Sequence, residues 1–287
     1  MNEPFNPKHL SESEFISDLA CERRRANLNT AGVSYRRDER GAFLWERIDI
    51  SSREGEIEIG RPRGSYDTLS TVRMDLLDDE DIEDAANEIA TELCSMLDKT
   101  VSAPTRLLVV GLGNATLTPD SVGPKAAEAV NATMHLNEND PRLFKTLECL
   151  EIAVTIPGVM AKTGMESTDI VSAICDKIEP DAVIAIDAIA SRSAERLGTT
   201  IQISNTGIFP GSGIGNRRRA ITEKTLGIPV IAIGVPTVIS ARAFTSAECH
   251  SNETFVDLYV SPRDIDGIVT ASSKIISMGI NQAFGMF

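Results

Sequence analysis

Two aspartates, Asp120 and Asp187, stand where this chain is best placed to do chemistry. Each follows an apolar run. Residues 106–113 read RLLVVGLG ahead of Thr118-Pro119-Asp120, and residues 181–187 read DAVIAID. Short Leu-, Val- and Ile-rich runs bounded by glycine or polar residues have the pattern of buried parallel strands. Open α/β sheets collect their ligands outside the carboxyl ends of such strands. Two carboxylates brought to one sheet edge cannot both ionise easily, so one stays protonated while the other is anionic. The anion can take a proton from water and the acid can protonate a leaving amine, the two tasks of peptide hydrolysis. The same residues also suit purely structural roles, Asp120 near a helix N-terminus and Asp187 as the cap of the next helix.

A second candidate is the loop at residues 207–219, GIFPGSGIGNRRR. Backbone amides around Gly211, Ser212 and Gly213 can cradle an anion or a carbonyl oxygen, with Arg217, Arg218 and Arg219 alongside. A tight turn with a solvated basic flank fits these residues equally well. The loop lacks the Lys-Ser/Thr pair of a phosphate-binding loop, and GLGN at residues 111–114 lacks the third glycine of a dinucleotide fingerprint. Ser212 is not in a nucleophile elbow, and His9, His135 and His250 all fall in polar stretches. A Ser-His or Cys-His device, a histidine-bound zinc and a cofactor are therefore not expected. The five cysteines are scattered without a CxxC pair, which fits free thiols in a reducing compartment.

The elements that must position these residues follow from periodicity. From residue 106 onward, strands alternate with helices. Strands are expected at 106–112, 151–156, 181–187, 199–204 and 229–235. Helices are expected at about 119–134, at 167–178 with Ser167 or Thr168 as cap, around 194–195, and at 265–284, with a polar loop near 137–141. This alternation implies parallel βαβ units in a three-layer α/β sandwich. Residues 41–73 alternate over short spans, as in Glu56-Ile57-Glu58-Ile59, and read as short strands with turns between them. Residues 75–98 hold ten acidic side chains and no basic one, with Ile82, Ala85, Ile89, Leu93 and Met96 at helical spacing. That is an amphipathic helix with an acidic, solvated face. Residues 1–40 read as polar surface.

The formal net charge of −14 argues against binding a phosphate backbone, so no direct nucleic-acid partner is expected. No apolar run approaches the roughly 20 residues that span a bilayer, and the polar amino terminus has no secretory pattern, so no membrane partner is expected.

Five strings carry a resemblance: VVGLGN…TPDSVGP, PGVMAKTGMESTDI, PDAVIAIDAIASRS, TTIQISNTGIFPGSGIGNRRRAIT and LGIPVIAIGVPTV, in that order. The chain resembles the germination protease family of endospore-forming bacteria, densely over residues 107–238 and more loosely over the first hundred. The resemblance implies an aspartic-type endopeptidase that degrades small, acid-soluble spore proteins, with Asp120 and Asp187 as the catalytic pair. It implies a twisted, mostly parallel central sheet between helices, related to the hydrogenase-maturation proteases, with a small β-containing N-terminal addition. It also implies a homotetramer located in the cytoplasm of the forespore or spore core. Those maturation proteases bind a metal partly through a histidine, and no histidine stands in the matching strings, so no metal is expected. Some relatives read DTGIHPGSG where this chain has Asn205 and Phe209.

The family is made as a zymogen, which implies a propeptide at residues 1–18 and one protease domain at 19–287. Within that domain the core spans about 104–287, with 41–100 packed on it as a subdomain. The family's cleavage pattern is Ser or Thr, an acidic residue, the cut, then an apolar and a small residue. It occurs at Ser13-Glu14-Phe15-Ile16 and at Ser17-Asp18-Leu19-Ala20, and alignment with the family favours a cut between Asp18 and Leu19. Reading an acidic residue calls for a cation, expected from Arg217, Arg218 or Arg219. Two other readings suit the residues. One is a phosphorylase or nucleoside hydrolase binding phosphate or a nucleoside at Gly211 to Gly215; the other is a non-catalytic module binding basic or DNA-binding proteins through the acidic helix.

Overall fold

Alternation of apolar side chains builds one sheet with two buried faces. In the computed structural model, which describes residues 17–23, 31–211, 218–244 and 258–285, nine strands form that sheet. They are β1 (Val33–Arg40), β2 (Phe43–Ile50), β3 (Gly64–Ser70), β4 (Arg106–Gly111), β5 (Glu151–Thr155), β6 (Ala182–Ser191), β7 (Thr200–Ser204), β8 (Val230–Ser240) and β9 (Tyr259–Val260). The expected parallel core is present as β5-β4-β6-β8. Beyond β8 the sheet continues antiparallel through β7, β3, β2 and β1, and β9 pairs antiparallel with the end of β8.

The helices are α1 (Ala20–Arg23), α2 (Arg53–Ile59), α3 (Asp79–Thr100), α4 (Val122–Glu128), α5 (Met134–Asn139), α6 (Pro141–Leu147), α7 (Met160–Thr163), α8 (Ser167–Ile178), α9 (Glu223–Leu226) and α10 (Ile265–Phe284). Successive strand residues point to opposite faces, and the core divides accordingly. Leu107, Val109, Ile184 and Ile186 pack with Ile89 and Leu93 of α3 and Ile275 and Ile276 of α10. Leu108, Val110, Val183 and Ala185 pack with Val171 and Cys175 of α8. A smaller cluster, including Ile48, Ile59 and Tyr66, lies under the antiparallel wing. No helix among the described residues is long and apolar enough to cross a membrane.

Three local expectations change, and the polar surface at 35–40 gains a definite structure. Glu56-Ile57-Glu58-Ile59 lies in α2, capped by Ser52, whose side chain accepts from Gly55 N. Two apolar residues two apart do not distinguish a strand from a helix, and the cap decides. The polar stretch near 137–141 forms α5 and α6, parted at Asp140, whose carboxylate accepts from Leu143 N at 3.0 Å. The basic stretch at 35–40 belongs to β1, an edge strand whose charges face solvent and discourage further pairing. The helix expected from Pro119 begins as a 3-10 turn at Thr118–Asp120, and α4 stops at Glu128.

The acidic helix is also not solvated throughout. Glu92 is buried and meets Arg47 of β2 at 2.5 Å, while Arg47 also reaches Asp67 of β3 at 3.2 Å. Burial and the neighbouring Glu92 push the Asp67 carboxyl up to about 7.

Candidate active site

β4 and β6 lie side by side and parallel, so their carboxyl ends open at one place. The backbone there is drawn tight by glycines. Gly113 has φ +113°, and a Cβ on it would lie 2.1 Å from the Asp120 carbonyl oxygen. A Cβ on Gly123 would lie 2.2 Å from the Leu112 carbonyl oxygen and 2.3 Å from that of Ile186. The first turn of α4 therefore wedges between the ends of both strands, which only glycine permits. This packing folds the 112–120 loop back on itself, and Asn114 N donates to both Asp120 O at 3.0 Å and Asp120 Oδ2 at 2.8 Å.

Asp187 is 4% exposed. It shares the parity of Val183 and Ala185 on β6, and the strand runs on past it to Ser191. Its Oδ1 accepts from Ala188 N at 2.9 Å. Burial, then the negative charge of Asp120, hold the Asp187 carboxyl well above the usual carboxylate range. Asp120 is raised as well, by burial, with the Asn114 amide and the Arg218 charge opposing. The two carboxyl groups line one cleft of about 300 Å³ together with Asp18, Arg218, Thr237 and Gly211. A buried acid whose surroundings favour its neutral form, beside one less buried and so freer to ionise, is an arrangement that general acid–base chemistry can use. Among the described residues, no three His, Cys, Asp or Glu side chains gather as a metal ion would require.

The other expected site residues separate. Gly211 and Arg218 line the cleft, while Arg219 does not, being paired at the surface with Asp169. Ser212, Gly213, Arg217 and the first cleavage string, Ser13 to Ile16, lie outside the described residues. Phe209 lines the cleft, whereas Asn205 has a structural role, its Oδ1 accepting from Ser65 N at 2.9 Å. Leu19 is fully buried, and Asp18 pairs with Arg61.

Three residues near Asp18 and the cleft were not anticipated. Thr237 Oγ1 is buried and has no hydrogen-bond partner among the described residues. Gln202 bonds to the segment containing Asp18 from β7, and Arg61 from the turn before β3. Gln202 left a trace in the sequence, since a strand buried on both faces rarely carries a polar side chain. Arg61 left none.

Comparison with known proteins places the chain in a family. The family model described as "Germination protease" matches residues 12–250. The chain is 36% identical to the germination protease of Caldanaerobacter subterraneus subsp. tengcongensis, covering 93% of each sequence. It is 35% identical to that of Clostridium acetobutylicum, covering 93% of this chain and 91% of the relative. The germination protease of Priestia megaterium is 41% identical over 249 residues, 83% of this chain and 66% of the relative. Among solved structures, a NiFe hydrogenase maturation protease from Thermococcus kodakarensis superposes with a TM-score of 0.36 and 16% identity, covering 65% of this chain and 97% of that one. The family match sets the phosphorylase and binding-module readings aside: the chain belongs to the germination protease family and is a peptidase.

Proposed function

We propose that the chain is an aspartic-type endopeptidase that cuts after an acidic residue, with small, acid-soluble spore proteins as its substrates. It acts in the spore core as a homotetramer and is made as a zymogen that removes residues 1–18. The catalytic pair is Asp120 and Asp187. The observation that carries this reading is their shared cleft, in which the charge of Asp120 helps to keep Asp187 protonated.

In the resting site Asp187 holds the proton and Asp120 is the anion, as their unequal burial favours. A water between them gives a proton to Asp120 as its oxygen attacks the scissile carbonyl. Asp187 donates its proton to the carbonyl oxygen, giving a neutral tetrahedral diol. When the C–N bond breaks, the proton on Asp120 passes to the leaving amine, and a hydroxyl of the diol returns a proton to Asp187. The pair ends as it began. Arg218 opposes the raised affinity of both carboxyls for protons, which keeps Asp120 available as a base.

The test is the mass of the purified full chain after incubation at mildly acidic pH. Wild type should lose 18 residues, while Asp120→Asn and Asp187→Asn should stay intact with unchanged circular dichroism. Processing at wild-type rate in either variant refutes the dyad.

A further inference from the structure

Residues 17–20 are held by the body of the protein through contacts that match the cleavage pattern one residue at a time. Asp18 N donates to Ala190 O at 3.0 Å, and Ala190 N donates to Asp18 Oδ2 at 3.0 Å. Arg61 Nη2 donates to Ser17 O at 2.5 Å and to Asp18 Oδ1 at 3.2 Å. Gln202 spans the peptide bond after Asp18, its Nε2 donating to Asp18 O at 3.3 Å and its Oε1 accepting from Ala20 N at 2.8 Å. Leu19 enters the cluster that holds Leu108, Val110 and Ile189, and Ala20 enters the one that holds Ile48, Ile59 and Tyr66. An acidic, an apolar and a small residue thus each meet a matching environment, and Asp18 lines the same cleft as Asp120 and Asp187.

From this geometry we infer that Arg61 is the specificity-determining residue that reads the acidic side chain before the cut, with Gln202 fixing the register of the scissile peptide. The inference rests on the reading that Asp18–Leu19 is a bond this enzyme cleaves. Of the basic run expected to supply the cation, Arg219 is engaged by Asp169 at the surface, Arg218 lines the cleft of the dyad and Arg217 lies outside the described residues, whereas Arg61 contacts Asp18 itself. Arg61 is well suited to the task. Its side chain and that of Asp18 are each 12% exposed, so water screens their attraction weakly. Its Nε is buried with no hydrogen-bond partner among the described residues, leaving one donor of the guanidinium fork for a second carboxylate oxygen. Beside it is a cavity of about 30 Å³, lined by Asp18, Arg61 and Gln202, which leaves room for a different acidic side chain. The turn that carries Arg61 belongs to the antiparallel wing. The N-terminal addition therefore supplies substrate recognition while the parallel sheet supplies the acids.

A double-mutant cycle on the full chain tests this, with loss of residues 1–18 followed by mass spectrometry. Arg61→Gln should slow processing about 10- to 100-fold, as expected for losing a hydrogen bond to a charged group. Asp18→Asn should slow it similarly, and adding Arg61→Gln to Asp18→Asn should change little further, because the interaction is already gone. Arg61→Lys keeps the charge and should fall between wild type and Arg61→Gln; it carries the test should Arg61→Gln not fold. Effects that simply multiply, or an Arg61→Lys rate equal to wild type together with an unaffected Arg61→Gln rate, overturn the role of Arg61 while leaving the dyad standing. A wild-type chain that never cuts overturns both.

Discussion

Arg47 of β2 and Glu92 of α3 meet at 2.5 Å beneath the antiparallel wing, and Asp67 of β3 reaches the same guanidinium nitrogen, Nη1, at 3.2 Å. Glu92 and Asp67 are both buried. Removing Arg47 leaves two carboxylates facing each other in the interior, a change that typically costs about 3–5 kcal/mol. Arg47→Met is expected to lower the unfolding free energy by that amount at neutral pH, read as a fall in the urea midpoint. Denaturation at pH 7 with m held constant checks it.

The same cluster gives a pH signature. Asp67 titrates near 7 in the folded protein and near 3.8 unfolded. The folded state therefore binds its proton more tightly. The stabilisation is complete below about pH 4 and is lost as pH rises towards 7. Melting temperature should fall across that window, and Asp67→Asn should flatten the fall. A wild-type melting temperature that rises through the window, with Asp67→Asn indistinguishable from it, contradicts the assignment.

Asp187 obeys the same sign. Its folded pKa is raised well above the free value, so its ionisation opposes folding as pH rises. Asp187→Asn should be inactive yet more stable than wild type at neutral pH. Processing in wild type should follow a bell, losing its acid limb as Asp120 takes a proton and its alkaline limb as Asp187 loses one. Thermal melts and a pH–rate profile read both effects.

Gly123 holds the geometry of the cleft without touching substrate. Alanine there would bring a methyl within 2.3 Å of the Ile186 carbonyl and 2.2 Å of the Leu112 carbonyl, both rigid backbone. Gly123→Ala should destabilise by about 1–3 kcal/mol. The processing rate should fall by about 100-fold, because an ångström of displacement between reacting groups costs that much. Comparison with a surface variant of equal stability separates the two effects.

Glu22 anchors the docked segment. Its carboxylate accepts from Arg192 N at 2.7 Å, Ser193 N at 3.0 Å and Ser191 Oγ at 2.5 Å. Glu22→Gln should loosen residues 17–23, seen as cleavage there by added trypsin or thermolysin, and should slow self-processing about ten-fold.

How much of this could be read in the sequence depended on whether neighbours along the chain carried the signal. The strand into Asp187 and the helix α10 at Ile265–Phe284 follow from local periodicity, because both faces of the strand and one face of the helix are apolar. Asp120 and Asp187 were found because each ends or interrupts an apolar run. Arg61 and Glu92 carry no such local signal, since their partners lie 43 and 45 residues away, at Asp18 and Arg47. The Glu-Ile alternation of α2 has the period of a strand, yet the Ser52 cap just upstream starts a helix, which leaves Ile57 exposed and buries Ile59.

The burial of Leu19 has a further meaning if the chain is cut where the Asp18–Arg61 contact presents it. Its backbone nitrogen bonds to Ser17 Oγ at 3.1 Å, and its side chain packs against Leu108, Val110 and Ile189. Hydrolysis turns that nitrogen into an ammonium ion beside the Ser17 hydroxyl and the new Asp18 carboxylate, while the Leu19 side chain stays packed among hydrocarbon. The eighteen-residue tail then loses its covalent tether and depends on non-covalent contacts such as those of Asp18 with Arg61 and Ala190. Once those contacts part, the tail diffuses away with no link to bring it back, which makes activation a one-way ratchet rather than a reversible opening.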